Sequence, residues 1–144
     1  MRDDQPPADR SPLSPLTLSV QAGQLAVVRL DPDALFPGWV NHAEATFWSI
    51  TRTPEEISII CDQDSVPPSC ERVERGWRAL KLQGPLAFSM TGVIAGLTAA
   101  LSAAGIPVLA LSTFDTDYLL VKHEQLERAV EVLGGRYVVR PETA

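Results

Sequence analysis

The strongest constraint on this chain lies in the spacing of apolar residues across its second half. Between residues 92 and 104, Val93, Leu97, Leu101 and Ala104 recur at intervals of four, four and three, which gathers them on one face of a helix. Gly105 stands where a helix C-terminal glycine belongs. Residues 107–112 and 118–121 are apolar runs of strand type on either side of Thr113-Phe114-Asp115-Thr116-Asp117. A second helical pattern occupies 124–133, with Leu126, Ala129, Val130 and Leu133 on one side and Gly134-Gly135 as its stop. Residues 77–82 before these elements and 137–139 after them read as strands. The order is therefore β-α-β-β-α-β, the split-βαβ or ferredoxin-like arrangement of an α+β fold.

The first half carries no comparable helix. Residues 16–20 and 25–30, joined by Gln21-Ala22-Gly23-Gln24, read as a β-hairpin with a glycine available for a positive φ. Pro32 and Pro37 bound a connector. Residues 45–51 and 57–61 are rich in Ile, Thr and Phe and read as strands separated by Thr53-Pro54-Glu55-Glu56. Residues 63–69 form a loop whose Pro67-Pro68 prevents ladder pairing and whose apolar point is Val66. The charged stretch 71–75 is expected to be a solvated connector between two units, 16–75 and 76–144. Residues 1–15 are polar and proline-rich, without the apolar run of a secretory signal, and are expected to form a disordered tail.

Composition narrows the partners. The chain has 144 residues and a formal net charge of -6, so the clustered basic surface of a nucleic-acid binder is missing. Apolar stretches are interrupted well before the roughly 18 residues of a membrane span. These features predict a cytoplasmic protein with no nucleic-acid or membrane partner. Cys61 and Cys70 lack the CxxC spacing of zinc or redox sites and are read as free thiols in a reducing compartment.

Several chemistry-bearing residues have competing readings. Asp115 and Asp117, two apart after a strand, resemble the aspartate pair of magnesium-dependent phosphotransferases, but such enzymes need a Rossmann-like sheet and further groups after the motif, and only residues 118–144 remain. The same aspartates can simply shape a hairpin turn. Gly92 and Gly96 lack the lysine and Ser/Thr of a P-loop, so close packing of a helix face is the better reading. His42 and His123 have no metal-ligand spacing, and Ser65, Ser89 and Ser112 sit in no nucleophile elbow. Trp39, Trp48 and Trp77 are expected in the core or at a subunit contact, with Trp48 alternatively flanking a ligand and the core favoured. No catalytic residue, metal or cofactor is expected.

Three segments carry a family resemblance: Gly76-Trp77-Arg78-Ala79-Leu80-Lys81, Gly84-Pro85-Leu86 with Thr91-Gly92-Val93, and Ser112-Thr113-Phe114-Asp115-Thr116-Asp117-Tyr118. Together they resemble small bacterial tandem ACT-domain proteins related to the eukaryotic arginine-sensing ACT proteins. The resemblance implies two ACT-like units packed side by side, the first more irregular, with a free amino acid at their interface. It implies that Met90, Thr91, Gly92 and Val93 meet the ligand carboxylate, in keeping with the unpaired N–H groups and positive dipole end of a helix N-terminus. Asp117 would take the ammonium through a charge-assisted bond, with contacts from Thr113 and Phe114 and main-chain bonds from Ser65 and Val66 of the first unit.

Met90 stands where the arginine sensors carry an acidic residue, so an apolar or aromatic amino acid is favoured over arginine. The resemblance further implies a homodimer or higher homo-oligomer, and a regulatory role read by an unidentified downstream protein. A module that oligomerises through ACT units without a ligand is the alternative, and a small phosphatase or mutase is a third reading.

Overall fold

The computed structural model describes residues 16–41, 44–87 and 89–142. The disordered tail expected over 1–15, and His42, lie outside the described residues. Eight strands and two α-helices are present among them: β1 (Thr17–Val20), β2 (Leu25–Leu30), β3 (Trp48–Arg52), β4 (Ile57–Asp62), β5 (Val73–Leu82), α1 (Val93–Ala103), β6 (Leu109–Ser112), β7 (Asp117–Lys122), α2 (Leu126–Leu133) and β8 (Val138–Arg140). The class is α+β, as expected, and the β-α-β-β-α-β order from β5 onward is that read from the apolar spacing.

The chain divides into two compact units, one made of Met1–Ala22 with Arg78–Ala144 and the other of Gly23–Trp77. This differs from the expected boundary at residue 75, because β1 belongs with the C-terminal residues. β1 runs antiparallel to the end of β5, Leu18 facing Leu82 and Val20 facing Leu80. Its other edge pairs in parallel with β8, Thr17 facing Val138. The expected hairpin between β1 and β2 is therefore absent. The φ of +82° at Gly23 instead serves a bend between two extended segments that each find a partner far away in sequence.

In the discontinuous unit, α1 and α2 supply the core. Leu97 and Leu101, four apart on α1, are fully buried with Leu80, Leu119, Ala129 and Leu133. Each such leucine contributes about 1.5–3 kcal/mol by leaving water. α1 ends as its glycine predicts: Gly105 has a φ of +74°, its N–H donates to Ser102 O (2.9 Å) and the Ile106 N–H to Leu101 O (3.0 Å). These two bonds form a Schellman cap, and buried Ile106 supplies its apolar contact.

The Gly23–Trp77 unit has no α-helix among its described residues. β4 lies between β2 and β3, with Ile59 facing Val28 on one side and Ile50 on the other. Its small core joins Ala26, Val28, Ile57, Ile59 and Cys61 to Val40 and Val66, which come from loops. The expected connector over 71–75 is instead strand from Val73, which pairs with Val28. Leu25 faces Trp77 and Val27 faces Glu74, so β5 holds one extra residue there. Gly76, at a φ of +82°, takes the left-handed position this bulge needs. Trp77 is buried and Trp39 packs against the core, but Trp48 departs from the core reading: β3 pairs with β4 alone, and Trp48 is 44% exposed.

Candidate functional site

Within the discontinuous unit, the segment from β5 to α1 meets the β6–β7 turn, and the strand ends flanking that turn, Ser112 and Asp117, line a cleft together with the segment and the start of α1. Thr116, buried to 2%, donates from Oγ1 to Leu82 O (2.7 Å), and the Leu86 N–H donates to Asp115 O (2.9 Å). Gly84 permits the approach, since a Cβ there would stand 2.9 Å from Asp115 O. The turn closes on itself through Thr113 N–H to Thr116 O (2.8 Å) and Thr116 N–H to Thr113 Oγ1 (3.2 Å). Two short segments are thereby fixed at one end of the helical layer.

The cleft measures about 250 Å³ and is lined by Leu86, Ala87, Met90, Gly92, Val93, Ile94, Ala95, Ser112 and Asp117. Gly92 caps α1 in the left-handed region, φ +75°, with no side-chain cap. The first helical bond runs from the Gly96 N–H to Gly92 O (2.9 Å), so the N–H groups of Val93, Ile94 and Ala95 precede it and have no acceptor within the helix. Asp117, also in the lining, opens β7 and is only 4% exposed. Ser112, its register partner across β6–β7, donates from Oγ to Asp117 Oδ1 at 2.6 Å. The cleft thus offers a carboxylate, a set of helix-end donors and an apolar wall to a molecule smaller than a drug.

The structure brings together Met90, Gly92, Val93 and Asp117 among the residues predicted from sequence. Thr91 is exposed between two lining residues and does not itself line the cleft. Thr113 and Phe114 lie in the β6–β7 turn outside the lining, Phe114 being 55% exposed. Ser65 ends a 3-10 turn, Gln63–Ser65, in the other unit, and Val66 follows it, buried in that unit's core. Sequence reading missed Leu86, Ala87, Ile94, Ala95 and Ser112 as wall residues. Ser112 had a signal, because a serine directly across a hairpin from an aspartate is in reach of its carboxylate.

A second cleft, of about 330 Å³, belongs to the Gly23–Trp77 unit and includes Arg29, Glu56, Glu71, Arg72 and Glu74 in its lining. Arg29 there donates to Glu55 O (2.9 Å) and reaches Asp31 (3.4 Å). Its mixed charges are those of a solvated sheet face. No helix of the described residues is long and apolar enough to cross a membrane.

A family model described as an ACT domain matches residues 72–134, and a second model, of an N-terminal domain, matches residues 23–69. The cytosolic arginine sensor for mTORC1 subunit 1 of Bos taurus is 28% identical over 107 residues, which cover 67% of this chain and 32% of that protein. The chain thus spans about a third of the length of that curated relative. A crystal structure of an Agrobacterium tumefaciens protein is 35% identical, with a TM-score of 0.82, and the match covers 90% of this chain and 96% of that one. The regulatory subunit of aspartate kinase from Thermus thermophilus, in its ligand-free form, shares the fold at 11% identity, with a TM-score of 0.59 and 83% and 96% of the two chains covered.

Proposed function

The chain belongs to the ACT-domain family, and from that premise we propose that it is a non-catalytic regulatory protein that binds a free amino acid in the cleft between the α1 N-terminus and β7. The observation that carries this reading is that a nearly buried carboxylate, Asp117, lines the same cleft as the helix end that begins at left-handed Gly92. An α-amino acid carries an ammonium for the first and a carboxylate for the second. Both contacts would be charge-assisted.

The rest of the cleft speaks to the side chain. Among its described lining residues Asp117 is the single acidic one, and Leu86, Met90, Val93 and Ile94 are apolar. With Asp117 given to the ammonium, a ligand guanidinium finds no carboxylate, whereas an apolar or aromatic side chain finds a polarisable thioether and aliphatic surface. The ligand is therefore proposed as an apolar or aromatic amino acid, although the Bos taurus relative is named an arginine sensor. Roles for Thr91, Thr113, Phe114, Ser65 and Val66 in holding the ligand are proposed on the family resemblance alone.

Regulation would follow from differential affinity: the ligand shifts the protein only as far as it prefers one state over another. A downstream protein would read that shift in the cytoplasm. Assembly into a homodimer or higher oligomer is part of the proposal. β6 pairs with β7 alone and carries Leu109 at 36% exposure, an edge open to pairing with a second copy. That edge also favours the second reading, an oligomerisation module without a ligand.

Thermal unfolding against each of the twenty amino acids tests the proposal. Ligand at a hundred times Kd should add about 2.7 kcal/mol of stability. Asp117→Asn, which keeps an oxygen to accept from Ser112 but removes the charge, should abolish the gain. No stabilisation by any amino acid at millimolar concentration would leave the oligomerisation module.

A further inference from the structure

We propose that Arg78 forms a carboxylate-binding site which the chain fills with its own Glu142, making the segment after β8 a detachable strap. This site is separate from the amino-acid cleft, since Asp117 begins β7 whereas His123, beside Arg78, follows its last residue. The proposal does not rest on the cleft binding anything.

Arg78 lies on β5 and is 7% exposed, with no role in the cleft. Its Nη2 donates to Glu142 Oε1 and to Gln21 O (3.3 Å), and Nη1 lies 3.3 Å from His123 Nδ1. One guanidinium thus collects the end of β1, the end of β7 and the chain beyond β8. Its Nε is buried and has no hydrogen-bond partner among the described residues.

That orphaned Nε shows how the site is built. The Nε–H and the neighbouring Nη2–H of an arginine point the same way, a fork that matches both oxygens of one carboxylate. Glu142 bonds Nη2 and leaves Nε without an acceptor. A tethered carboxylate two residues past a three-residue strand reaches the fork but does not fill it, while a free carboxylate has no tether and can take both prongs. The Glu142 side chain is 43% exposed, so its departure meets little packing resistance. Departure leaves a buried cation without its counter-ion, which is costly until another carboxylate enters. It also removes one anchor of β8, which is otherwise held by a short parallel ladder to β1 and by the packing of Val139 against the core.

The test uses the full chain and formate as the probe, with sodium chloride at equal ionic strength as the reference. Glu142→Ala should lower Tm by about 5 °C or more and speed hydrogen exchange in 17–20 and 138–140. Formate should restore both in a concentration-dependent way and shift the Arg78 Nε–H resonance, and it should shift that resonance in the parent chain only at higher concentration, where it displaces Glu142. Arg78→Lys combined with Glu142→Ala keeps the positive charge but loses the fork, and formate should then act no differently from chloride. Unchanged Tm and exchange in Glu142→Ala would overturn the strap. A formate response that chloride matches, or that survives Arg78→Lys, would overturn the carboxylate site.

Discussion

The two units solve the same problem, covering one face of a small sheet, by different means. The discontinuous unit lays α1 and α2 over its strands, and Leu97 and Leu101 arrive in the core as neighbours on one helix face. The Gly23–Trp77 unit uses loops, and Val40 and Val66 arrive singly from short 3-10 turns and their borders. A helix delivers several apolar side chains for one fixed backbone, whereas a loop orders many residues for each one buried. The helix also ends in unpaired donors, which a loop does not gather. The unit with helices consequently holds the cleft with oriented N–H groups, and the other holds one bounded by solvated charges.

The comparison can be broken by truncating each core. Leu101→Ala, at a fully buried helix position, should cost about 3 kcal/mol, within the 2–5 typical of such changes. Val40→Ala, at a loop position, should cost about 2 kcal/mol, because fewer methyl groups leave and the loop can settle. Denaturant midpoints decide this, and an equal or larger cost at Val40 would remove the distinction.

Alkaline pH sharpens it from the loop-built side. Burial pushes the Cys61 thiol up to about 11 from 9.0, with the charges of Asp62 and Cys70 adding and Arg75 opposing. Because the folded-state value is the higher one, the contribution of the neutral thiol is complete below pH 9 and is lost as pH rises through 11. The loss should approach about 2–3 kcal/mol, read as the difference in stability between the parent chain and Cys61→Ala across that range.

Two glycines give the smaller effects. Gly84→Ala should cost about 1–3 kcal/mol, since its Cβ would press on Asp115 O at 2.9 Å and on Thr116 Cβ at 3.1 Å. Gly96→Ala meets only the Tyr137 hydroxyl, the end of a side chain that can turn aside, and gains helix propensity in return. Its net effect should stay within about 1 kcal/mol of zero, and a large loss would mean that Tyr137 is held rigidly against α1.

What sequence revealed follows the same divide. α1, its Gly105 cap and α2 were legible because their signals are local: apolar residues three and four apart, and a glycine at the stop. The pairing of β1 was not, because its partners, residues 80–82 and 138–140, stand far off in the chain. Gly23 marked a change of direction, and nothing nearby distinguishes a hairpin from a bend. The fate of 71–75 was hidden likewise, since charged residues on one face of a strand look like a connector until Val73 finds Val28.

In the site, Asp117 and the Gly92 helix start were legible from motif and resemblance. Ser112 stands in the same motif without an assigned role, although its place opposite Asp117 follows from the hairpin register. The apolar wall at Leu86 and Ala87 depends on the close approach of Gly84 to Asp115, a tertiary fact with no local spacing to announce it.

The most direct test of the central claim is a two-dimensional amide NMR titration with the amino acid that raises thermal stability most. The account predicts concentration-dependent shifts concentrated at Gly92, Val93, Ile94, Ala95, Ser112 and Asp117, all abolished by Asp117→Asn. Shifts gathered instead around Arg29, Arg72 and Glu74, or a pattern indifferent to Asp117→Asn, would contradict it.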